Sequence, residues 1–182
     1  MKATGIVRRI DELGRIVIPK EIRRTHKIRE GTPLEIFSGE NGELVLKKYS
    51  PVLELEDIAY DSVKSVFDVL ELDCFVCDKD SIISVEGTSN FKRNYLHKFI
   101  SLDLERTIEN RKPIILNSLD GANLITLVKD ERPAYSSLSL VPILSQGDTY
   151  GAIGIISNTQ LTNNEIKILQ TFANFISLQI GW

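Results

Sequence analysis

The sequence predicts two domains of different class. A small strand-rich head occupies residues 1–50, and an α+β body with an antiparallel sheet and flanking helices occupies residues 73–182; a helix over residues 51–72 joins them. Three observations predict this. Residues 1–50 hold eleven Lys or Arg against seven Asp or Glu, a net of +4, whereas the other 132 hold eleven against eighteen, a net of −7. The apolar residues recur with a period of two as far as residue 47, then at steps of three and four from Leu53 onward. Between the two patterns, Ser50-Pro51 breaks the last strand. A basic head on an acidic body suggests a nucleic-acid-binding module joined to something that is not one.

Bulk composition sets the class. At 42% hydrophobic and 26% charged, the chain reads as globular and folded. No apolar run approaches the roughly 20 residues of a membrane helix, and residues 1–5 lack the apolar core of a signal peptide. A cytoplasmic, nucleoid-associated protein with no membrane partner is expected.

In the head, residues 4–10 alternate, with Ile6, Arg8 and Ile10 on one face and Val7 and Arg9 on the other. Asp11-Glu12-Leu13-Gly14 is a turn signal, and Arg15-Ile16-Val17-Ile18 a second short strand. Pro19 suits the first turn of a helix, where its missing N–H costs nothing. That helix runs over residues 20–27 with Ile22 facing inward, and Gly31 lies just beyond it. Residues 34–37 and 43–47 are two more strands, joined by the hairpin signal Asn41-Gly42. Four short strands and one small helix bury little core, and domains of this size need disulfides, a metal or oligomerisation. The head is therefore expected to be a dimer.

Arg8, Arg9, Arg15, Arg23 and Arg24 fall on two adjacent strands and the small helix, with Lys2, Lys20 and Lys27 adding to the field. Arginine suits both guanine and phosphate contacts, and β-sheet readers of DNA are a known docking class. The competing reading is a solvated face whose cations pair with Asp11, Glu12, Glu21 and Glu30.

Residues 1–25, together with Leu34-Glu35-Ile36 and Leu46-Lys47-Lys48-Tyr49, closely resemble the AbrB family of transition-state regulators. The resemblance implies a swapped-hairpin dimer with interleaved hairpins that binds double-stranded DNA. It implies DNA contact at Arg8, Arg15, Arg23 and Arg24, with Arg9 at a site that also accepts Lys; Lys2 and Lys20 complete the candidate DNA-binding set. His26 stands where the family usually has leucine, and is expected to be exposed or partly packed.

In the body, Leu55, Ile58, Ser62, Val66 and Val69 mark the amphipathic joining helix. Residues 74–77 and 82–85 are strands around a solvated turn, Asp78-Lys79-Asp80. Residues 92–99 and 102–110 are short helices, and residues 112–115 a brief strand. Residues 117–133 are long and irregular, the mark of a binding loop or lid. Residues 135–144 and 149–157 form a hairpin across Gln146-Gly147-Asp148. Thr162-Asn163-Asn164-Glu165 opens the last helix with a capping-box pattern. Apolar stripes on the first and last body helices would complete a four-helix bundle across two chains.

Catalytic and metal signatures are not found. Cys74 and Cys77, the two cysteines, form a C-x-x-C spacing. In a strand, however, positions three apart face opposite ways, so buried structural thiols are expected. His97 reads as a helix-flank residue. No cofactor is evident, and the occupant of any pocket under the 117–133 loop is unknown from the chain.

Leu140-Val141-Pro142-Ile143 and Tyr150-Gly151-Ala152-Ile153-Gly154-Ile155 resemble the closing hairpin of GAF sensor domains. Head and body together are similar to a family of two-domain regulators from endospore-forming bacteria. That resemblance implies a homotetramer, with heads dimerising by swapped hairpins and bodies pairing through helices. It also implies control of late genes in the forespore, with a small-molecule effector of the body compatible with that role. An antitoxin-type protein-binding module is the alternative, since some antitoxins share the swapped-hairpin head.

Overall fold

The computed structural model describes residues 5–40, 42–129 and 131–180, which separate into two compact units, residues 1–49 and 50–182. In the first, α1 (Lys20–Thr25) follows Pro19, and β1 (Leu34–Ser38) pairs antiparallel with β2 (Leu44–Lys48). The register sets Ile36 opposite Leu46 and Phe37 opposite Val45, while the Lys47 ammonium lies 4.7 Å from the Phe37 ring centre. Asn41 of the expected Asn41-Gly42 turn lies outside the described residues.

The two strands expected over residues 4–10 and 15–18 do not form a ladder within the chain, and Thr4 lies outside the described residues. One main-chain bond closes the turn between them, from the Asp11 N–H to the Arg15 carbonyl at 3.0 Å. The reason is burial. Among the described residues of this unit only Pro19 is buried, and Ile22 is half-buried; Val7 is 84% exposed and Leu13 75%. A strand whose apolar face has nothing to cover it gains too little to offset the ordering of its backbone.

The second unit is a five-stranded antiparallel sheet in the order β4-β3-β7-β6-β5. Its strands are β3 (Asp73–Cys77), β4 (Ile82–Glu86), β5 (Ile114–Asn117), β6 (Ser137–Ser145) and β7 (Asp148–Ser157). Helices α2 (Pro51–Glu54), α3 (Glu56–Leu70) and α6 (Asn163–Ile180) feed one core cluster with Val52, Ala59, Val63, Val66, Leu169 and Ile176, on Cys74, Val76 and Ile153 of the sheet. Helices α4 (Ser89–Tyr95) and α5 (Leu102–Glu109) and the following loop feed the other, with Phe91, Tyr95, Leu104 and Ile108 on Phe75, Cys77 and Leu140.

Several expectations are revised. The joining helix is broken at Leu55, whose backbone leaves helical geometry (φ −99°, ψ 31°), and both pieces belong to the second unit. The helix expected over residues 92–99 begins at Ser89, capped by Thr88, and ends at Tyr95. Beyond it, Phe99 bridges Ser81 and the His97 N–H donates to the Ile82 carbonyl. Asp78 does not sit in a solvated turn: it is buried, accepting the N–H groups of Asp80 and Ser81, each at 2.7 Å, and the Ser50 hydroxyl at 2.9 Å. The β6–β7 turn has positive φ at Gln146 (49°) and Gly147 (85°), the two-residue form that suits strand twist. At α6 the capping box forms, with Glu165 accepting the Thr162 N–H at 2.8 Å and the Thr162 hydroxyl accepting the Asn164 N–H at 3.2 Å.

The start of α6 is tied to the end of β5 by one side chain. The buried Asn117 amide donates to the Leu161 carbonyl and accepts the Leu161 N–H, both at 3.0 Å. Asn117→Ala would leave both main-chain groups unpartnered, so a loss of about 2–4 kcal/mol is expected. Urea unfolding should show a lower midpoint with an unchanged slope.

Candidate nucleic-acid interface

The predicted cations all reach solvent. Arg8, Arg9, Arg15, Lys20, Arg23 and Arg24 are exposed, and Lys2 lies outside the described residues. Arg8 lies on the segment before the Asp11–Gly14 turn and donates to the Val7 carbonyl at 3.0 Å. Arg23 and Arg24 occupy the last turn of α1, where positive charge suits the C-terminal end of the helix dipole. His26 caps that helix, its N–H donating to the Ile22 carbonyl at 2.9 Å, and its side chain is exposed.

One carboxylate organises the turn. Asp11 Oδ1 accepts the main-chain N–H groups of Leu13 at 3.0 Å and Arg15 at 2.8 Å, while Oδ2 accepts Arg15 Nε at 2.8 Å. The Arg15 N–H first, then its guanidinium, hold the Asp11 carboxyl below its ordinary range. Nε of Arg15 is thereby engaged, but its side chain stays 71% exposed. The two terminal nitrogens remain turned outward, the pair that makes a bidentate contact to guanine or phosphate. Sequence reading treated Asp11 as a charge partner; its positioning role was signalled by an Asp three residues before the turn glycine, a spacing that favours a side-chain-closed turn. Of the ion pairs that the solvated-face reading requires, Arg15–Asp11 forms. Arg8, Arg9, Lys20, Arg23 and Arg24 make none among the described residues.

The body's candidate site is arranged differently from expectation. The loop expected to act as a lid is strapped down. Ser101 accepts at its hydroxyl the Leu104 N–H and donates to the Thr126 carbonyl; its N–H donates to the Leu127 carbonyl at 2.9 Å, and Val128 bridges Ile100. Leu127, Val128 and Tyr135 fill the space beneath the loop, against Phe75, Leu138 and Leu140. Burial raises the Tyr135 phenol, which donates to the Ile125 carbonyl. Cys74 and Cys77 are buried in opposite core clusters, and burial pushes both thiols up, away from the reactive thiolate. His97 is exposed.

A family model described as stage V sporulation protein T C-terminal, transcription factor, matches residues 54–181. A second, described as antidote-toxin recognition MazE, bacterial antitoxin, matches residues 7–54. The chain is similar to stage V sporulation protein T of Bacillus subtilis (strain 168), 45% identical over 99% of each chain. Transition state regulatory protein AbrB of the same organism is 46% identical over 35% of this chain and 69% of its own. The GAF domain of an Acinetobacter phosphoenolpyruvate-protein phosphotransferase superposes with a TM-score of 0.57 at 16% identity, covering 74% of this chain and 84% of that one. Part of a methyl-accepting chemotaxis protein gives 0.58 at 14% identity, over 71% and 90%. These two likenesses give the body its fold, that of a GAF domain.

The Asp11 geometry has a pH signature. A depressed carboxyl stabilises the turn above the ordinary carboxylate pKa of about 3.9, and that contribution is lost as pH falls through the depressed value. In an NMR titration the Asp11 carboxyl should therefore titrate below the other exposed carboxylates, together with the Leu13 and Arg15 amides. Arg15→Ala keeps the main-chain N–H, the larger cause, so it should return only part of the shift.

Proposed function

The chain belongs to the stage V sporulation protein T family, and from that premise we propose that it is a sequence-selective DNA-binding regulator of sporulation genes, acting late in the forespore, in the cytoplasm, and by binding rather than catalysis. The observation that carries this reading is the head: exposed arginines that spend no charge on ion pairs, on a unit whose apolar residues have no cover of their own. A second copy supplies the cover. Interleaving two heads buries Val7, Leu13 and Val17, each contributing about 1.5–3 kcal/mol when fully removed from water, and doubles the arginine set. Arg8, Arg15, Arg23 and Arg24 then contact DNA, and Arg9, Lys20 and Lys2 add to the field. The net −7 of the body repels phosphate and restricts binding to the head.

The body's part is assembly. Val69 on α3 and Phe175 and Leu178 on α6 are exposed apolar side chains on helices that pack together on one face of the sheet. Pairing these helices with a second copy gives a four-helix bundle and a tetramer. An effector entering beneath the 117–133 loop has to displace Leu127 and Tyr135, so ligand capture would act through that loop. The antitoxin reading is favoured by the family match of residues 7–54. Stable copurification with a ribonuclease would support it over gene regulation.

Arg8, Arg15, Arg23 and Arg24 replaced together by Ala should abolish operator binding without dissociating the oligomer. Each single replacement should lower the slope of log K against log salt by about 0.9. Wild-type affinity in the quadruple variant would refute the assignment. For assembly, Phe175→Glu with Leu178→Glu should convert tetramer to dimer in sedimentation velocity; an unchanged tetramer would place the contact elsewhere.

A further inference from the structure

The body sheet has two outer sides, and only one is guarded by proline. β5 is four residues long and follows Pro113, and the half of β6 that extends past it carries Pro142, which offers no N–H. The other edge strand, β4, holds neither proline nor lysine. Its first residue is already satisfied on the outside: the Ile82 N–H donates to the Lys98 carbonyl and the His97 N–H to the Ile82 carbonyl, both at 2.9 Å. Along residues 83–86 no outer main-chain bond to another strand or loop forms among the described residues. Alternate residues of an antiparallel strand turn both main-chain groups outward, so this stretch is open for pairing.

The open edge forms the floor of a cleft of about 340 Å³. Glu56, Asp57 and Tyr60 of α3 stand on one side, and Lys92 and Leu96 on the other. Lys92 is engaged by Glu86 on the floor. Glu56 and Asp57 make no ion pair among the described residues, so the cleft carries uncompensated negative charge. Ser84, 4% exposed, lines the floor and makes no side-chain hydrogen bond among the described residues. Tyr60 and Leu96 are each more than a third exposed, an apolar surface suited to the methylene stem of a long cationic side chain.

We propose that this cleft docks an extended basic segment of a partner protein, which pairs with β4 as a sixth strand. Main-chain hydrogen bonds to the open edge hold the segment, and its Lys or Arg side chains meet Glu56 and Asp57. A small polyamine would satisfy the carboxylates but leave the edge unpaired, which is why the geometry favours a peptide.

The test uses the full-length protein and fluorescence anisotropy. The probe is a fluorescein-labelled octapeptide of alternating Thr and Lys; its counterpart has the same charge with every main-chain amide methylated. The unmodified peptide should bind, and methylation should weaken it at least tenfold. Glu56→Gln with Asp57→Asn, both at exposed positions, should weaken it by a similar factor with an unchanged circular dichroism spectrum. No binding of the unmodified peptide, equal binding of the methylated one, wild-type binding by the double variant, or full displacement by equimolar spermidine would each overturn the proposal.

Discussion

The β6–β7 hairpin is the constraint on which the body is built. Its strands pair from Ser137 with Ser157 to Ser145 with Asp148, and most of their residues are buried. Side chains from alternate positions enter opposite cores: Leu138 and Leu140 one, Val141 and Ile143 the other. β3 adds to the free side of β7 and β5 to that of β6, so each remaining element takes its place from this pair. The packing leaves little slack. A Cβ at Gly154 would lie 2.6 Å from the Phe75 ring, so the aromatic side chain reaches its place in the core only because the facing strand carries no side chain there.

The head obeys the opposite rule. It has two strands in ladder, a six-residue helix and one buried residue among those described. What order it holds comes from local polar contacts, above all the Asp11 carboxylate closing its turn through Leu13 and Arg15. Such contacts fix a loop but do not offset the entropy of ordering a domain. The same lack of enclosure keeps the arginines in water, available to an anionic partner. Exposed apolar residues and exposed cations thus make complementary demands, one for a second copy of the chain and the other for DNA.

Much of this was legible in the chain. The charge division, the period change at Ser50-Pro51, the opposite-facing cysteines and the capping box at Thr162 are local or periodic signals, and the structure carries each of them. The misses share a cause. The break at Leu55, the early end of α4 at Tyr95, the burial of Asp78 and the strapped loop depend on partners distant in sequence. Asp78 is buried partly through Ser50, 28 residues away, and the loop is held by Ser101, about 25 residues away. Periodicity cannot register a contact between segments that share no pattern.

By itself the sequence determined the two-domain division, the arginine set, the strand-and-helix content and the kinship that assigns the chain to its family. These rest on residue type and spacing, which act locally and survive without coordinates. Tertiary structure decided which segments meet. It placed Tyr135 and Leu127 beneath the loop, joined Asn117 to Leu161 across 44 residues, and left β4 as an unguarded edge beside two carboxylates. The physical reason is that burial and hydrogen bonding are set by neighbours in space, and in an antiparallel sheet of order β4-β3-β7-β6-β5 those neighbours come from opposite ends of the domain.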